Sequence, residues 1–558
     1  MEITDEKVKE LCLNINTIRR RNIINIDSEY LNSIKFIDPF DHASSLLINT
    51  NNLVLGKRGS GKTTLLLSSI NRQKDTTIVV KDCQVYRNYD KNKIIIESII
   101  CILKKLSANM KLHNLTNKIE ENYKKNYRGF SSFFKAITFS RDKTTNDLYK
   151  EYIQLFESIS FLEKLLNDIN DLPQEIEYTV KEDIQNNEKE TSKKDIDFNG
   201  SASLNMNTPN YYNSIKGKLE LTSNIRLQKN KESSQQSTKS IKTEYKETFN
   251  KTVFLENLKT DISDLFNQTN LFLGTKIVCY YDDFYYTELS IQPWIIQYLL
   301  DISKAVKNHG FCFKIGAIPN RIRLNEREQV DFSFKDDIPP IKLDRELSDL
   351  ENLKNYLINI ISIIADEYNI TKEEILRLFN NDSVLIHTII ATGGIPRDFL
   401  MAFTELINLT IADNSNTIQK KHVYSFVSDL REDKANNIEV DTDISPKEIR
   451  DKIEILKKEV IDTLKTNVIL YPTVKVKEHE KIIKNLINLR YLHLISENIS
   501  SDKRKNTTFN AYLIDMTFYT GNVRLRQNFD FRQFWVRDNA SRLTELHNSK
   551  IWYYGMEN

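Results

Sequence analysis

Gly56-Lys57-Arg58-Gly59-Ser60-Gly61-Lys62-Thr63 is the stretch that decides the fold of this 558-residue chain. It fits the pattern GxxxxGK[ST], with an apolar strand predicted before it at 53–55 and a helix predicted after it at 64–70. Small residues let such a loop wrap closely around phosphate oxygens, with backbone N–H groups and the positive end of the helix dipole facing the anion. Only 13 glycines occur in the chain and three of them lie within 56–61, which favours a backbone requirement there over a chance turn.

The side chains of this loop have distinct expected roles on a nucleoside triphosphate. Lys62 is expected to reach the β- and γ-phosphates, and the Thr63 hydroxyl to ligate Mg²⁺. The predicted nucleotide-binding residues are Gly56, Lys57, Arg58, Gly59, Ser60, Gly61, Lys62, Thr63 and Thr64. No NKxD motif follows to indicate guanine specificity, so the predicted cofactors are ATP and Mg²⁺.

A second motif is the apolar run Ile277-Val278-Cys279-Tyr280-Tyr281, which delivers Asp282 and Asp283 at the end of a buried strand. Asp282 is expected to hold Mg²⁺ through its water shell, and Asp283 takes the position that usually carries the glutamate that polarises the attacking water. Aspartate is one methylene shorter, and a misplacement of about 1 Å can cost roughly 100-fold in rate. We therefore expect hydrolysis to be slow or to need a partner.

Two later motifs supply further candidates for catalysis. Lys314-Ile315-Gly316-Ala317-Ile318-Pro319-Asn320 is an apolar strand ending in an amide, and Asn320 can orient the lytic water; the alternative is an ordinary asparagine in a turn. In Gly393-Gly394-Ile395-Pro396-Arg397-Asp398, proline fixes the start of a helix and places Arg397 in its first turn. Arg397 can then swing onto the phosphates from a helical lid, unless it forms only a surface salt bridge.

In this order, GKRGSGKTTLL, IVCYYDDF, IGAIPN and GGIPRDFL resemble the Walker A, Walker B, sensor 1 and sensor 2 motifs of AAA+ ATPases. The resemblance is to the origin-recognition (ORC) and replication-initiator type, as a bacterial ORC-like ATPase. It implies ATP hydrolysis, a helical lid after the core and a winged helix at the end. It also implies an arginine finger supplied to a neighbouring subunit, which allows a homo-oligomer. Arg321, Arg323 and Arg327 are the candidates, and a solvated charged face is the alternative for each.

The predicted fold class is an α/β P-loop NTPase core, a parallel sheet flanked by helices, with three additions. Residues 1–45 form an N-terminal helical segment, and 46–345 form the P-loop AAA+ core. The core is interrupted at 110–270 by a helical and β-hairpin insertion, whose strands are predicted at 198–206 and 219–227 between disordered flanks at 183–194 and 229–245. A helical lid follows at 346–435, an acidic linker at 431–443 and a winged-helix-like domain at 445–558.

Composition indicates the cellular environment in which the chain is expected to fold. The formal charge of +2 is almost balanced, and the five cysteines form no CxxC pair, which excludes a disulfide framework and fits a reducing cytoplasm. No apolar run reaches about 18 residues, so we expect no membrane span. The segment from Asp441 to Asn558 holds 20 lysines and arginines against 16 acids, a small basic surplus.

Two functional hypotheses follow for the partners. In the first, nucleotide state controls double-stranded DNA binding through 445–558, with the helix 479–489 in a groove. The basic hairpin tip Lys503, Arg504 and Lys505 then contacts phosphates, supported by Arg524, Arg526, Arg532 and Arg537. In the second, the chain is a slow ATP-dependent signalling switch, for example in bacterial defence. It then acts on a protein partner through 110–270 without nucleic acid.

Overall fold

Strands and helices alternate along much of the chain, in an order typical of α/β proteins. The computed structural model describes residues 2–18, 30–31, 34, 36–112, 143–184, 193–198, 241–324, 334–345, 347–436, 445–474, 479–501, 504–520 and 539–552. The strands are β1 (Asn52–Leu55), β2 (Thr76–Asp82), β3 (Glu175–Ile184), β4 (Lys193–Phe198), β5 (Ile241–Asn250), β6 (Lys276–Asp282), β7 (Phe311–Ala317), β8 (Pro340–Lys342), β9 (Val468–Pro472), β10 (Leu492–Ser501), β11 (Arg504–Ile514) and β12 (Lys550–Ile551).

The helices lie before, between and after these strands. They are α1 (Glu6–Ile18), α2 (His42–Leu47), α3 (Lys62–Arg72), α4 (Lys91–Leu112), α5 (Lys143–Asn170), α6 (Lys251–Leu273), α7 (Gln292–Ala305), α8 (Phe334–Asp337), α9 (Leu350–Ala365), α10 (Lys372–Arg377), α11 (Asp382–Ala391), α12 (Pro396–Ala412), α13 (Lys420–Asn436), α14 (Pro446–Leu456), α15 (Glu480–Asn488) and α16 (Asn539–His547). A π-helix at Lys457–Leu464 continues α14.

The central sheet is parallel, with the strand order β2-β6-β7-β1-β8. Alternate residues of β6 point to opposite faces: Ile277 and Cys279 pack against α4 to α7, while Val278 and Tyr280 pack against α2 and α3. Burial on both faces explains why these strands are apolar throughout. The predicted P-loop core, a parallel sheet flanked by helices, is confirmed.

Parallel strands bring their carboxyl ends to one edge of the sheet, which is where ligands bind in open α/β folds. The glycine-rich loop leaves β1 at this edge. Asp82 and Asp282 end β2 and β6 and face each other in the strand register. The turn after β7 and Asp344, which follows β8, lie at the same edge.

The insertion contains helices and an antiparallel sheet, as expected, but its strands differ from the prediction. Helices α5 and α6 pack on α4, and β3 lies between β4 and β5. The predicted strands at 198–206 and 219–227 lie almost wholly outside the described residues. The flanks predicted to be disordered overlap described strands only at their ends, where β3 reaches Ile184, β4 begins at Lys193 and β5 begins at Ile241. The rest of both flanks lies outside the described residues. β3 pairs with β5 in an antiparallel register that runs from Glu175 opposite Asn250 to Ile184 opposite Ile241.

Helices α9 to α13 form the helical group after the core, and α1 packs on it through Leu11 and Ile15. Thr371 and Glu374 form the predicted capping box at the start of α10. The predicted linker at 431–443 starts too early, because α13 continues to Asn436. Its last turn is fixed by Lys434, which is buried and pairs with Asp515 of the C-terminal segment.

The C-terminal segment forms a sheet in the order β10-β11-β9-β12 with helices on one face. Phe509 and Leu513 on one face of β11 pack on the lid, while Tyr512 and Ile514 on the other pack on α14 and α15. The strands of the β10–β11 hairpin are longer than predicted, since β10 continues to Ser501 and β11 begins at Arg504. Lys503 lies outside the described residues, as do Arg524, Arg526, Arg532 and Arg537. A winged helix remains a prediction for this segment.

None of the helices in the described part of the chain has both the length and the apolar composition that a membrane span requires.

Candidate functional site

The loop between β1 and α3 has the backbone that its glycines predict. Gly59 and Gly61 have φ angles of +86° and +99°, in the left-handed region that other residues rarely adopt. At Gly56 the obstacle is space, because a Cβ would lie 2.2 Å from the Ser60 Oγ. The Lys57 amide donates to the Asp344 carboxylate at 2.7 Å, which ties the start of the loop to the chain after β8. The start of the loop is therefore fixed by a contact outside the loop.

Lys62 lies inside the loop and is buried. Its ammonium donates to the carbonyls of Gly56 at 2.8 Å and Lys57 at 3.1 Å. Burial lowers the pKa of Lys62, while the charges of Asp282 and Asp283 oppose that shift. A cation surrounded by the loop's own backbone is placed to meet the outer phosphates of a nucleotide.

Asp282 connects the Walker B strand to the phosphate loop. Its Oδ2 accepts a hydrogen bond from the Thr63 hydroxyl at 2.5 Å. Burial, and then the charge of Asp283, raise the pKa of Asp282, while the Thr63 bond and Lys62 lower it. Gly316 on the neighbouring strand β7 leaves room for this carboxylate, because a Cβ there would lie 2.8 Å from Asp282 Oδ1.

Asp283 has a φ of +52° and begins a short 3₁₀ turn, so its side chain leaves the strand line and lines the cavity in front of the loop. The amide of Gln84 donates to Asp283 Oδ2 at 3.0 Å. Gln84 follows the end of β2, where Asp82 accepts from its backbone N–H at 2.9 Å. Sequence reasoning missed Gln84, whose one signal is its place just after a strand that ends in an acid.

The turn after β7 is held by a buried glutamine. Gln292 donates to the carbonyls of Thr287 and Arg321, and its Oε1 accepts from the Arg323 amide at 2.8 Å. Asn320 lies in this turn, at the sheet edge that also carries Asp282, but its side chain is outside the described part.

Two of the candidates for an arginine finger lie in or just after this turn. The guanidinium of Arg321 lies over the Tyr285 ring of its own chain at 5.5 Å from the centroid. Arg323 follows in the described part of the chain, and Arg327 lies outside it. Which of them serves a neighbouring subunit stays a prediction.

Arg397 comes to the phosphate loop from the lid. Pro396 opens α12, and the Arg397 amide donates to the Gly59 carbonyl at 3.2 Å. A Cβ on Gly59 would lie 2.9 Å from the Arg397 Cβ, so the glycine also permits this close approach. The Arg397 guanidinium pairs with Asp398 at 3.6 Å and lines the same cavity as Lys62.

These groups surround a cavity of about 570 Å³. Its polar side holds Arg58 to Thr64, Asp283 and Arg397. Its apolar side comes from the chain before β1 and from lid helices, and is formed by Phe36, Ile37, Tyr356, Ile360, Ile364, Leu400 and Met401. A pocket with an apolar wall and phosphate-facing cations suits a nucleotide, base to one side and phosphates to the other.

The donor set fits Mg²⁺ at one place. Mg²⁺ prefers oxygen ligands and is usually bound by one or two carboxylates together with substrate phosphates. Thr63 and Asp282 supply a hydroxyl and a carboxylate that already touch each other beside Lys62. Among the described residues no group of three or more histidine, cysteine, aspartate or glutamate side chains is arranged to hold a metal ion. A magnesium ion here would take its remaining ligands from the nucleotide's phosphates and from water.

No protein-family model and no curated protein matches the chain. Among solved structures, Cdc6p from Pyrobaculum aerophilum is 10% identical, with a TM-score of 0.29 over 94% of this chain and 98% of that one. A Walker-type ATPase of Pyrococcus abyssi is 10% identical, with a TM-score of 0.33 over 86% and 95%. The RuvB Holliday junction branch migration motor of Thermotoga maritima is 9% identical, with a TM-score of 0.21 over 46% and 80%. With TM-scores this low, these similarities say nothing of the chain's ligand or partner.

Proposed function

We propose that the chain binds Mg·ATP in this cavity and hydrolyses it to ADP and phosphate. The observation that carries the proposal is the 2.5 Å hydrogen bond between Thr63 and Asp282, residues 219 positions apart, beside the Lys62 ammonium. A metal-binding hydroxyl and carboxylate that meet next to a phosphate-binding cation form the pattern required for phosphoryl transfer. Four site residues from three motifs, Lys62, Thr63, Asp282 and Arg397, are thus assigned to one reaction.

Each side chain has a defined task in this proposal. Lys62 and Arg397 bind phosphate oxygens and stabilise their charge. Asp283 orients the attacking water, and the hydrogen bond from Gln84 fixes the orientation of the Asp283 carboxylate. A bound Mg²⁺ would neutralise phosphate charge from its position at Thr63 and Asp282. Because Asp283 is shorter than glutamate, slow turnover is part of the proposal.

We further propose that nucleotide state is coupled to a protein partner, as in a switch. Support comes from the packing of the C-terminal sheet, whose hairpin buries Phe509 against the lid and Tyr512 against its own helices. The helix considered for groove binding, α15, buries Ile483 and Leu486. On its exposed face α15 carries only two cations, Lys481 and Lys484, and so small a basic surface favours the partner hypothesis over the DNA hypothesis.

Lys62→Ala tests the ATP proposal. The wild type should bind ATP and release phosphate, and ATP should raise its melting temperature. The variant should show none of the three, yet melt near the wild-type temperature without nucleotide, since it removes a buried charge rather than core packing. Equal ATP binding by both proteins would contradict the proposal.

DNA binding is tested separately by fluorescence anisotropy at several salt concentrations. The partner hypothesis predicts no binding of a duplex probe at low salt. Binding with a steep salt slope that is lost when Lys503, Arg504 and Lys505 are changed to alanine would instead support the DNA hypothesis.

A further inference from the structure

Arg490, from the C-terminal segment, lies in the nucleotide cavity. It follows α15 and lines the cavity together with the phosphate loop and Arg397. It also borders a smaller cavity between the start of the phosphate loop at Lys57 and the turn after β7 at Arg321. A residue more than 400 positions from the loop in sequence thus belongs to the loop's immediate surroundings.

The charges around Arg490 favour a phosphate ligand. Asp398 forms ion pairs with both Arg397 and Arg490, so one carboxylate lies between two guanidiniums. Burial, followed by the charge of Arg397, lowers the pKa of Arg490 to about 10, and Arg58 acts in the same direction. Cations that repel each other at one cavity are stabilised by a polyanion.

The backbone of Arg490 is fixed from the lid side. Its carbonyl accepts from the Lys434 ammonium at 3.2 Å, and Lys434 also donates to Asp515 at 2.6 Å. Asp515 accepts from His493 at 3.0 Å, and both side chains are buried. The His493 ring lies against Gly393, where a Cβ would approach it to 2.7 Å. This buried network holds Arg490 in place against the loop that carries Arg397.

The position of Arg490 indicates which end of the nucleotide its guanidinium would contact. The Lys62 ammonium, which should meet the outer phosphates, lies against the carbonyls of Gly56 and Lys57. Arg490 flanks the same end of the loop, next to Lys57 and Arg58. The terminal phosphate is therefore the group nearest to its guanidinium.

We propose that Arg490 is a phosphate-binding residue of this site that contacts the terminal phosphate of ATP and thereby couples nucleotide binding to docking of the C-terminal sheet. The proposal rests on the proposed function, since it needs a nucleoside triphosphate in the cavity. When the terminal phosphate engages Arg490, Asp398 keeps Arg397 as its partner. Coupling is reciprocal, so a docked C-terminal sheet strengthens ATP binding and ATP strengthens docking.

The test compares Arg490→Ala with the wild type and with Arg450→Ala, an exposed arginine of the same segment. Titration calorimetry with the non-hydrolysable analogue AMP-PNP and with ADP gives the affinities. Hydrogen exchange of β10 and β11, with and without AMP-PNP, reports docking. Arg490→Ala should weaken AMP-PNP about 10- to 100-fold, the loss expected for one hydrogen bond to a charged group. It should change ADP affinity little, and protection by AMP-PNP should disappear.

If the alanine variant folds poorly, Arg490→Gln takes its place in the same measurements, because the glutamine amide can still donate to Asp398 but carries no charge. Equal AMP-PNP affinity and protection in the wild type and both Arg490 variants would overturn the inference while leaving the ATP proposal intact. A parallel loss of AMP-PNP and ADP affinity would show a structural role and also overturn it. A wild type that binds neither nucleotide would refute the proposed function, and the inference with it.

Discussion

Gly316→Ala tests how closely the Walker B carboxylate is fitted into the sheet. Gly316 lies on β7 next to Asp282, and its φ lies outside the left-handed region, so the backbone accepts alanine. The added Cβ would lie 2.8 Å from Asp282 Oδ1, about 0.6 Å short of the 3.4 Å at which ordinary contact begins. Leu66, at 3.3 Å on the other side, limits how far the methyl group can retreat. The carboxylate should therefore move by roughly half an ångström.

Two magnitudes follow from that displacement. If about 1 Å of misplacement costs roughly 100-fold in rate, half of it costs on the order of 10-fold in kcat. Overpacking costs about 1–3 kcal/mol, and replacing a strand glycine returns about 0.5–1 kcal/mol, so the free energy of unfolding should fall by about 0–2.5 kcal/mol. A 10-fold loss in kcat corresponds to about 1.4 kcal/mol, so the effects on the chemistry and on the fold should be of similar size.

The assay is ATP hydrolysis as a function of Mg²⁺ concentration, together with urea unfolding. Gly274→Ala is the matched control, because its φ of +64° imposes strain while nothing lies within 4 Å of the new Cβ. The control should lose stability by about 1 kcal/mol and keep its Mg²⁺ dependence. Unchanged Mg²⁺ dependence and kcat in Gly316→Ala would refute the role given to the Asp282 carboxylate.

Three further predictions concern the acids of the site and its surroundings. Asp283→Asn should slow turnover while AMP-PNP still binds, and Gln84→Ala should slow it less; equal ATPase rates in wild type and Asp283→Asn would remove Asp283 from the mechanism. Because burial and Asp283 raise the pKa of Asp282, the folded chain binds more protons there than the unfolded chain, so stability without Mg²⁺ should fall as pH rises above the ordinary carboxyl range. Asp282→Asn should flatten that slope in urea unfolding at pH 5 and pH 8. Asp515→Ala should cost about 3–5 kcal/mol in the same assay by leaving Lys434 buried without its carboxylate, and adding Lys434→Met should recover part of the loss.

The phosphate loop, the Walker B strand and the lid helix that begins at Pro396 could all be predicted from the sequence. Each is a local pattern, in which glycines, an apolar run or a proline specify the backbone within a few residues of the functional side chain. The capping box at Thr371 was predicted for the same reason. The strands of the insertion were partly mispredicted, because the pairing of β3 with β5 joins segments far apart in the sequence, which composition does not reveal.

By itself, then, the sequence determined that a phosphate loop, a carboxylate pair and a lid arginine exist, since backbone requirements of this kind are written in adjacent residues. Only the tertiary structure decided that Gln84 orients toward Asp283, that Gly316 makes room for Asp282 and that Arg490 reaches the cavity. Those contacts join residues from separate strands and segments. Whether these residues meet depends on the strand order and on the packing of the C-terminal sheet on the lid. Local periodicity in the sequence encodes neither.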